Sequence, residues 1–280
     1  MQNFKGIKIS IFCFIGMLFI TSCEKTKDNI QKSIELKKVV FTDAAIAEMN
    51  FLSAYSIFDK ATNNVSKSLI IDSAHVLLRG DTLFIDYGTS YVNCPDGHRR
   101  KGKITAIFSD FTHYNQEGTF VNIDIENLYD NDYCLDGIVL ATNQGVFSNR
   151  IRYEIIANQG TSLVGPNGTI NFVAVYYIEW DRNSTPAIDD DKMYILTASS
   201  STGFVTNGSD FTMSVENQMI LDYACPYKII EGRLKHASTR FPEEPSFIDF
   251  GSGVCDNKLQ LILNTNGITT TIDYTIDQLF

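Results

Sequence analysis

Apolar residues recur at helical spacing between Phe41 and Ala61. They repeat at intervals of three, four or seven positions, and Thr42 or Asp43 can cap the first turn. The apolar positions are Ala44, Ile46, Met49, Phe51, Leu52, Tyr55 and Phe58. The pattern predicts one helix in the N-terminal part of the chain, with an apolar face available for packing.

The rest of the chain alternates between apolar and polar residues and is divided by turn sequences. Between Thr169 and Trp180 every second residue is apolar, and the pairs Asn167-Gly168 and Asn207-Gly208 supply the positive φ angles of tight hairpins. Short strands at regular spacing, without helices between them, are typical of an antiparallel meander. We therefore predict an all-β fold, in which the meander forms a curved sheet or a sandwich and one N-terminal helix packs on it.

One pattern occurs twice along the predicted strands. Ile85-Asp86-Tyr87-Gly88 leads to Cys94 and a polar turn, and Ile248-Asp249-Phe250-Gly251 leads to Cys255 and a polar turn. No linker rich in Pro or Ser separates the two copies. We expect one helix-plus-β domain over residues 41–280, built from two related halves at about 65–160 and 161–280. A common turn sequence used twice is the alternative.

The first residues of the chain have the pattern of an export signal. Lys5 and Lys8 precede an apolar run over residues 9–20. A membrane-spanning helix needs roughly 20 apolar residues, so this run is too short to span. We expect residues 1–22 to be a signal peptide.

The end of this signal resembles the lipobox of bacterial lipoproteins. The matching sequence is Ile20-Thr21-Ser22-Cys23, and in such proteins the cysteine is acylated and becomes the first residue of the mature chain. The resemblance implies a lipid anchor on Cys23, and the polar segment 23–40 is expected to be a solvated tether. An ordinary signal peptide that ends near a cysteine is the alternative.

The charge of the chain excludes one class of partner. The formal net charge is −10, and loss of Lys5 and Lys8 with the signal makes it −12. Nucleic-acid binding requires a basic surface that displaces phosphate counterions. We therefore expect no nucleic-acid partner, and we expect lipid on Cys23, rather than charge, to hold the protein at the membrane.

Four cysteines remain in the domain after the signal and the lipid are accounted for. Disulfides are common in exported proteins, and four cysteines allow three connectivities. The predicted hairpins place Cys94 opposite Cys134 and Cys225 near Cys255, so we predict those two bridges. Four reduced, buried thiols are the alternative, and no cysteine spacing suits tetrahedral zinc.

A large part of the chain resembles a known group of proteins. The segment from Asp190 to Asn257 contains the Asp249-Phe250-Gly251 turn and the triplet Cys255-Asp256-Asn257, and it is similar to uncharacterised β-rich lipoproteins of Bacteroidota. Lys101-Gly102-Lys103-Ile104 also resembles that group, whereas Lys258-Leu259-Gln260 departs from it. The resemblance implies a β-rich fold and a place in the cell envelope, on the outer membrane. It implies no activity.

Candidate residues for chemistry are few. The four histidines are scattered, and Gly251-Ser252-Gly253 lacks the Gly-x-Ser-x-Gly pattern of a nucleophile elbow. Asp130, Asp132 and Asp136 are candidate calcium ligands, but they do not match an EF-hand, and a solvated turn explains them more simply. We predict no catalytic residue and no cofactor. The basic run 98–101 is either a site for an anionic partner or a solvated loop.

Together these features favour a non-catalytic, lipid-anchored protein of the cell envelope. It is expected to bind a glycan, a protein or a lipid, or to have a structural role. The domain could lie on either face of the outer membrane. The first alternative is a carrier that holds an apolar ligand or lipid on the concave side of the sheet. The second is a hydrolase with paired carboxylates. An apolar cavity beneath the helix would favour the carrier, and a filled core would favour the binding module.

Overall fold

The computed structural model describes residues 7–65, 70–181, 192–225, 229–242, 245–265 and 267–279, with side chains from residue 30 onward. The first six residues of the predicted signal peptide, the side chain of Cys23, and Asp190, where the resemblance begins, lie outside the described residues. Among the residues that the structure describes, no helix combines the length and the apolar character needed to cross a membrane.

One long helix, α1, covers Ile7–Asn64 and includes the predicted helix. It begins earlier than Phe41, because residues 23–40, which we expected to form a tether, are helical as well. Lys, Glu and Gln are frequent in this segment and favour helix. Ile34 also packs against the core, and the Lys37 ammonium donates a hydrogen bond to the carbonyl oxygen of Asn264. The predicted tether is therefore wrong for the part of the segment that packs on the domain.

Within the described ranges, sixteen strands form a single sheet in which every pair is antiparallel, which confirms the all-β prediction. The strands are β1 (Ile70–Ile71), β2 (Ala74–Arg79), β3 (Thr82–Asn93), β4 (Arg99–Phe108), β5 (Phe120–Asp130), β6 (Tyr133–Phe147), β7 (Arg150–Ala157), β8 (Ser162–Gly165), β9 (Gly168–Asp181), β10 (Lys192–Ile195), β11 (Ser200–Phe204), β12 (Asp210–Asp222), β13 (Ile229–Ala237), β14 (Ser246–Ser252), β15 (Leu259–Thr265) and β16 (Ile268–Tyr274). A short 3-10 helix, Ile276–Leu279, follows.

The sheet follows chain order with two local exceptions. The path runs β1-β2-β3-β4-β5-β6-β7-β9-β10-β12-β13-β14-β15-β16, while β8 pairs with β6 and β9, and β11 pairs with β9 and β12. The predicted turn sequences lie at hairpins: Asn167-Gly168 joins β8 to β9, and Asn207-Gly208 joins β11 to β12. Gly208 has φ +78°, as such a turn requires.

The sheet curves around the helix. α1 contacts β1 and β3 near one end of the sheet, β6 and β9 in the middle, and β12 and β15 near the other end. Because nearly all side chains of α1 between Val40 and Ala61 are buried, the sheet must curve around the helix to make these contacts. The strands of both predicted halves belong to this one sheet and share one apolar core, and the relationship between the halves stays a prediction.

The central part of α1 is buried around its whole circumference. Nearly every side chain from Val40 to Ala61 is buried, so the helix lies inside the core rather than on its surface. Phe51 stacks on Tyr176 with ring centroids 5.2 Å apart and meets the edge of Phe172 at 6.0 Å. Phe58 stacks on Phe108 at 6.0 Å. The prediction of one helix packed on the sheet is confirmed, and the helix fills the concave side.

Two buried carboxyl groups of the helix accept hydrogen bonds from β11 and the turn after it. Ser201 donates a hydrogen bond to the Glu48 carboxyl at 2.7 Å, and Thr206 donates one to Asp43 at 2.5 Å. Burial raises the pKa of both carboxyl groups, and the hydrogen bonds only partly oppose this effect. These contacts tie α1 to one rotation about its axis.

Candidate functional site

The two copies of the predicted repeat form the same local turn. In β3 the Asp86 carboxylate accepts a hydrogen bond from the backbone N–H of Gly88 at 2.7 Å, and in β14 Asp249 accepts one from Gly251 at 2.9 Å. The two glycines have φ angles of +82° and +84°, which other residues rarely adopt. The aromatic residue inside each turn is buried. The chain therefore bends alike in both copies, and each bend leads to a separate polar site.

The first copy leads to a buried ion cluster between the sheet and α1. Arg100 is 1 % exposed, and its guanidinium donates two hydrogen bonds to Asp96, at 2.9 and 2.7 Å, and two to Asp130, at 3.1 and 3.0 Å. His98 lies 2.6 Å from the other oxygen of Asp130. Ser53 of the helix donates a hydrogen bond to Asp130 at 3.1 Å. The cluster joins α1, β4 and β5 at one end of the core.

The electrostatics of this cluster favour its charged form. Burial alone would lower the pKa of Arg100, but the carboxylates of Asp130 and Asp96 outweigh it and raise that pKa above its ordinary value. Tyr87 lies nearby, and burial raises the pKa of its phenol. Each charge is satisfied by protein groups, so the cluster serves as a structural ion network.

The basic run predicted at 98–101 is divided between the two faces of the sheet. His98 and Arg100 face the core, where carboxylates neutralise Arg100. Lys101 lies on the outer face, with its ammonium 4.0 Å from the ring centroid of Tyr129 and 4.7 Å from that of Tyr91. The Arg99 guanidinium lies 5.3 Å from the Tyr91 ring. Only two of the four side chains therefore remain for an outside partner.

The predicted bridge between Cys94 and Cys134 is wrong, because both are free, buried thiols. Cys94 directly follows β3, whereas Cys134 lies in β6 opposite Tyr129, so β4 and β5 lie between them. Three strand spacings amount to about 14 Å, whereas the Cα atoms of a disulfide lie within about 7 Å. Burial raises the pKa of Cys94, and burial together with Asp136 raises the pKa of Cys134 to about 11.

The three aspartates proposed as calcium ligands do not converge. Asp130 faces the core and pairs with Arg100, while Asp132 is exposed. Asp136 accepts a hydrogen bond from the backbone N–H of Asn127 at 2.7 Å. Among the residues that the structure describes, no group of three or more His, Cys, Asp or Glu side chains is placed to hold a metal ion. Asp130 and Asp136 have separate structural partners and Asp132 faces solvent, so the described geometry gives the calcium hypothesis for this turn no support.

The second copy of the repeat leads to an open cleft. The predicted bridge between Cys225 and Cys255 is confirmed, and it ties the loop after β14 to the end of β12. Between this loop and the outer face of β14, β15 and β16 lies a cleft of about 730 Å³. The disulfide therefore holds one wall of the cleft against the body of the domain.

The cleft is lined mainly by acidic charge. Asp249, Gln260 and Asp273 are direct cross-strand partners, so they share the outer face of three adjacent strands. Gln260 donates a hydrogen bond to Asp273 at 2.9 Å. Asp256 lies on the opposite wall, 3.8 Å from the ammonium of Lys258, which is 81 % exposed. Among the side chains that line the cleft, three carboxylates outnumber one solvated cation.

Arg233 lies beside the cleft, directly opposite Asp249 on the neighbouring strand, and it forms an ion pair with Glu216 at 3.2 Å. A residue outside the cleft therefore neutralises this cation, and the lining keeps a net negative charge.

Sequence reasoning identified part of this site and missed the rest. The turn at Asp249 and the Cys255-Asp256-Asn257 triplet were recognised as a motif, and both line or flank the cleft. Asp273 was missed, because its position beside Asp249 depends on the register of β14, β15 and β16. The only local signal is that Asp273 is the single charged residue in its strand.

A second, smaller pocket lies near the C-terminal end of α1. It has a volume of about 210 Å³ and is lined by Ser56, Lys60, Asp72, Asp96 and Tyr223, among others. Lys60 and Asp72 form an ion pair at 2.9 Å across it. Its polar groups are engaged with one another, so the larger cleft is the better candidate site.

Comparisons with known proteins give no indication of the function of the cleft. No protein-family model, no curated protein and no solved structure matches the chain.

Proposed function

We propose that the chain is a lipid-anchored protein of the cell envelope, attached through Cys23 to the outer membrane, whose β domain binds a partner at the cleft beside the Cys225–Cys255 disulfide. The lipobox-like sequence at residues 20–23 supports the anchor. The observation that carries the choice of function is that buried side chains of α1 occupy the concave side of the sheet. It favours a protein that binds at its surface.

The position of α1 argues against the carrier. A carrier needs an apolar cavity on the concave side of its sheet, and in this fold α1 occupies that side. Phe51 and Phe58 are 1 % and 0 % exposed and pack against aromatic residues of the sheet. A lipid bound at this place would have to displace these side chains, at the cost of the free energy gained by burying them.

The geometry of the cleft also favours binding over hydrolysis. A glycosidase mechanism requires one carboxyl group that gives up a proton and a second that attacks or activates water. Asp249 already accepts the backbone hydrogen bond that shapes its turn, and Asp273 accepts the amide of Gln260. These carboxylates hold local structure, and their remaining lone pairs face solvent, as in a recognition surface.

The anchor is tested by substituting the cysteine. In a bacterial host given an alkyne analogue of palmitate, the wild-type protein should be labelled and should remain in the membrane fraction. Cys23→Ser should lose the label, whereas Cys13→Ser, within the predicted signal, should keep it. Labelling that persists in Cys23→Ser would overturn the lipid anchor.

The binding site is tested by photocrosslinking in intact cells. A benzoylphenylalanine placed at Val254, which lines the cleft and is 62 % exposed, should give a discrete adduct after illumination. Val146 is 68 % exposed on β6 and lies outside the cleft, so the same probe there should give none. Equal adducts at both positions, or none at Val254, would contradict the proposal. Lipid recovered from the purified, unacylated protein would instead support the carrier.

A further inference from the structure

The last strand of the sheet has an open edge. Among the described strands, β16 pairs only with β15, through seven consecutive residue pairs without a bulge. None of its residues, Ile268–Tyr274, is buried. Alternate backbone N–H and C=O groups of such a strand point away from the sheet and can pair with another strand.

This edge lacks the features by which proteins commonly block strand addition. Short edge strands, lysines, prolines and bulges all discourage pairing. β16 is regular, and its sequence Ile-Thr-Thr-Thr-Ile-Asp-Tyr is β-branched and uncharged except for Asp273. A regular edge of this kind is suited to accept another strand.

The open edge and the acidic cleft are continuous. Asp273 and Tyr274 belong to β16 and also line the cleft, together with Asp249 and Asp256. A peptide paired along β16 would therefore place one end beside Asp273, and residues that continue from that end could enter the cleft towards Asp256 and Asp249. Basic side chains complement these charges, and acidic ones are repelled.

We propose that β16 and the cleft together bind an extended, basic segment of a partner protein, which adds to the sheet as a further strand. The inference rests on the proposed function, since it assigns a class of partner to the same cleft. Main-chain hydrogen bonds along β16 provide the pairing, as in other cases of strand addition. The carboxylates select lysine or arginine at the end that enters the cleft. A second copy of this chain fits less well, because each copy carries a net negative charge.

The charge requirement is tested with short fluorescein-labelled peptides and the intact mature chain carrying Cys23→Ser. A peptide of alternating lysine and valine should bind, as measured by fluorescence anisotropy, and the matched glutamate–valine peptide should not. The triple variant Asp249→Asn, Asp256→Asn and Asp273→Asn should weaken binding about tenfold or more. Asn at position 249 retains an oxygen that can accept the Gly251 hydrogen bond, so the turn should survive.

A matched charge control uses three acidic residues elsewhere on the domain. The variant Asp124→Asn, Asp132→Asn and Glu154→Gln removes the same number of charges from β5, the turn after it and β7, outside the cleft. It should bind the lysine peptide with nearly wild-type affinity at physiological salt, because distant charges are screened. An equal loss in both triple variants would mean that only the overall charge matters, which would overturn the assignment to the cleft.

The strand requirement is tested on the peptide, so that the protein fold is left intact. Two lysine–valine peptides carry N-methyl groups on alternate residues, one on the odd and one on the even positions. One pattern removes the donors that face β16 and should abolish binding, while the other should be tolerated. Hydrogen exchange of β16 amides should slow when the unmethylated peptide binds. Full binding by both methylated peptides, or unchanged exchange, would overturn strand addition.

The outcomes separate this inference from the proposed function. If the lysine peptide fails to bind while the probe at Val254 still gives its adduct, the cleft binds a partner of another class and the basic-strand proposal is wrong. If sedimentation shows a dimer in which β16 is protected, the occupant is a second copy, which also overturns it.

Discussion

Replacing Arg100 with methionine should strongly destabilise the domain. The guanidinium is 1 % exposed and makes four hydrogen bonds to Asp96 and Asp130, so its loss leaves two carboxylates without their main counterion. Removing one partner from a buried ion pair costs about 3–5 kcal/mol. Asp130 keeps Ser53 and His98 as neighbours, which places the expected loss near about 3 kcal/mol. Methionine fills much of the same volume, so the change reports on charge more than on packing.

Urea unfolding of the mature Cys23→Ser protein, followed by tryptophan fluorescence and circular dichroism, measures this loss. The double variant Arg100→Met with Asp130→Asn should recover part of the stability, because the buried carboxylate with least access to water is neutralised. Lys103→Met, on the same strand, breaks an exposed ion pair with Glu126 and should leave the urea midpoint unchanged. Arg100→Met within about 1 kcal/mol of wild type would refute a stabilising role for the cluster.

Three further predictions concern the core, the disulfide and pH. Phe51→Ala should lower the free energy of unfolding by about 3–5 kcal/mol, whereas Phe204→Ala, 58 % exposed, should change it little; urea titration compares them. Replacing Cys225 and Cys255 with serine opens a loop of 30 residues and should lower the free energy of unfolding by about 3–4 kcal/mol, as measured by calorimetry. When this variant is unfolded without reductant, the thiols of Cys94 and Cys134 should still be titratable. Burial and the Lys37 charge lower the pKa of His236 to about 4, so stability should be full above about pH 6.5 and fall towards pH 4 as the unfolded chain takes up the proton. As the pH falls across that range, the difference in free energy of unfolding between wild type and His236→Gln should therefore shrink by about 1.4 kcal/mol per pH unit. A difference that does not change with pH would contradict the lowered pKa of His236.

The strands could be predicted because their signals are local. The alternation from Ile170 to Trp180 and the turns at Asn167-Gly168 and Asn207-Gly208 depend only on neighbouring residues, and the structure confirms them. The early start of α1 was not predicted, because Lys37 is held by Asn264, 227 positions later. The burial of the helix on all sides was also not predicted, because its spacing of apolar residues indicated only one apolar face.

The candidate site could be predicted only in part, for a similar reason. The Asp249 turn and Cys225–Cys255 lie close in a simple meander, so sequence proximity was informative. The same logic failed for Cys94, because the chain continues through β4 and β5 before it reaches Cys134. Pairing of cysteines and acids across several strands depends on register, which local patterns do not specify.

The contacts of α1 with residues far along the chain affect how the protein folds. α1 is among the first parts of the chain to be synthesised, yet Lys37 pairs with Asn264, 227 positions later, and Asp43 with Thr206, 163 positions later. Contacts of such high sequence separation slow folding, because long loops must close before any stabilisation is gained. A helix that is buried on all sides in the folded protein therefore remains without its sheet until almost the entire chain is available. During that interval its apolar side chains are exposed to aggregation.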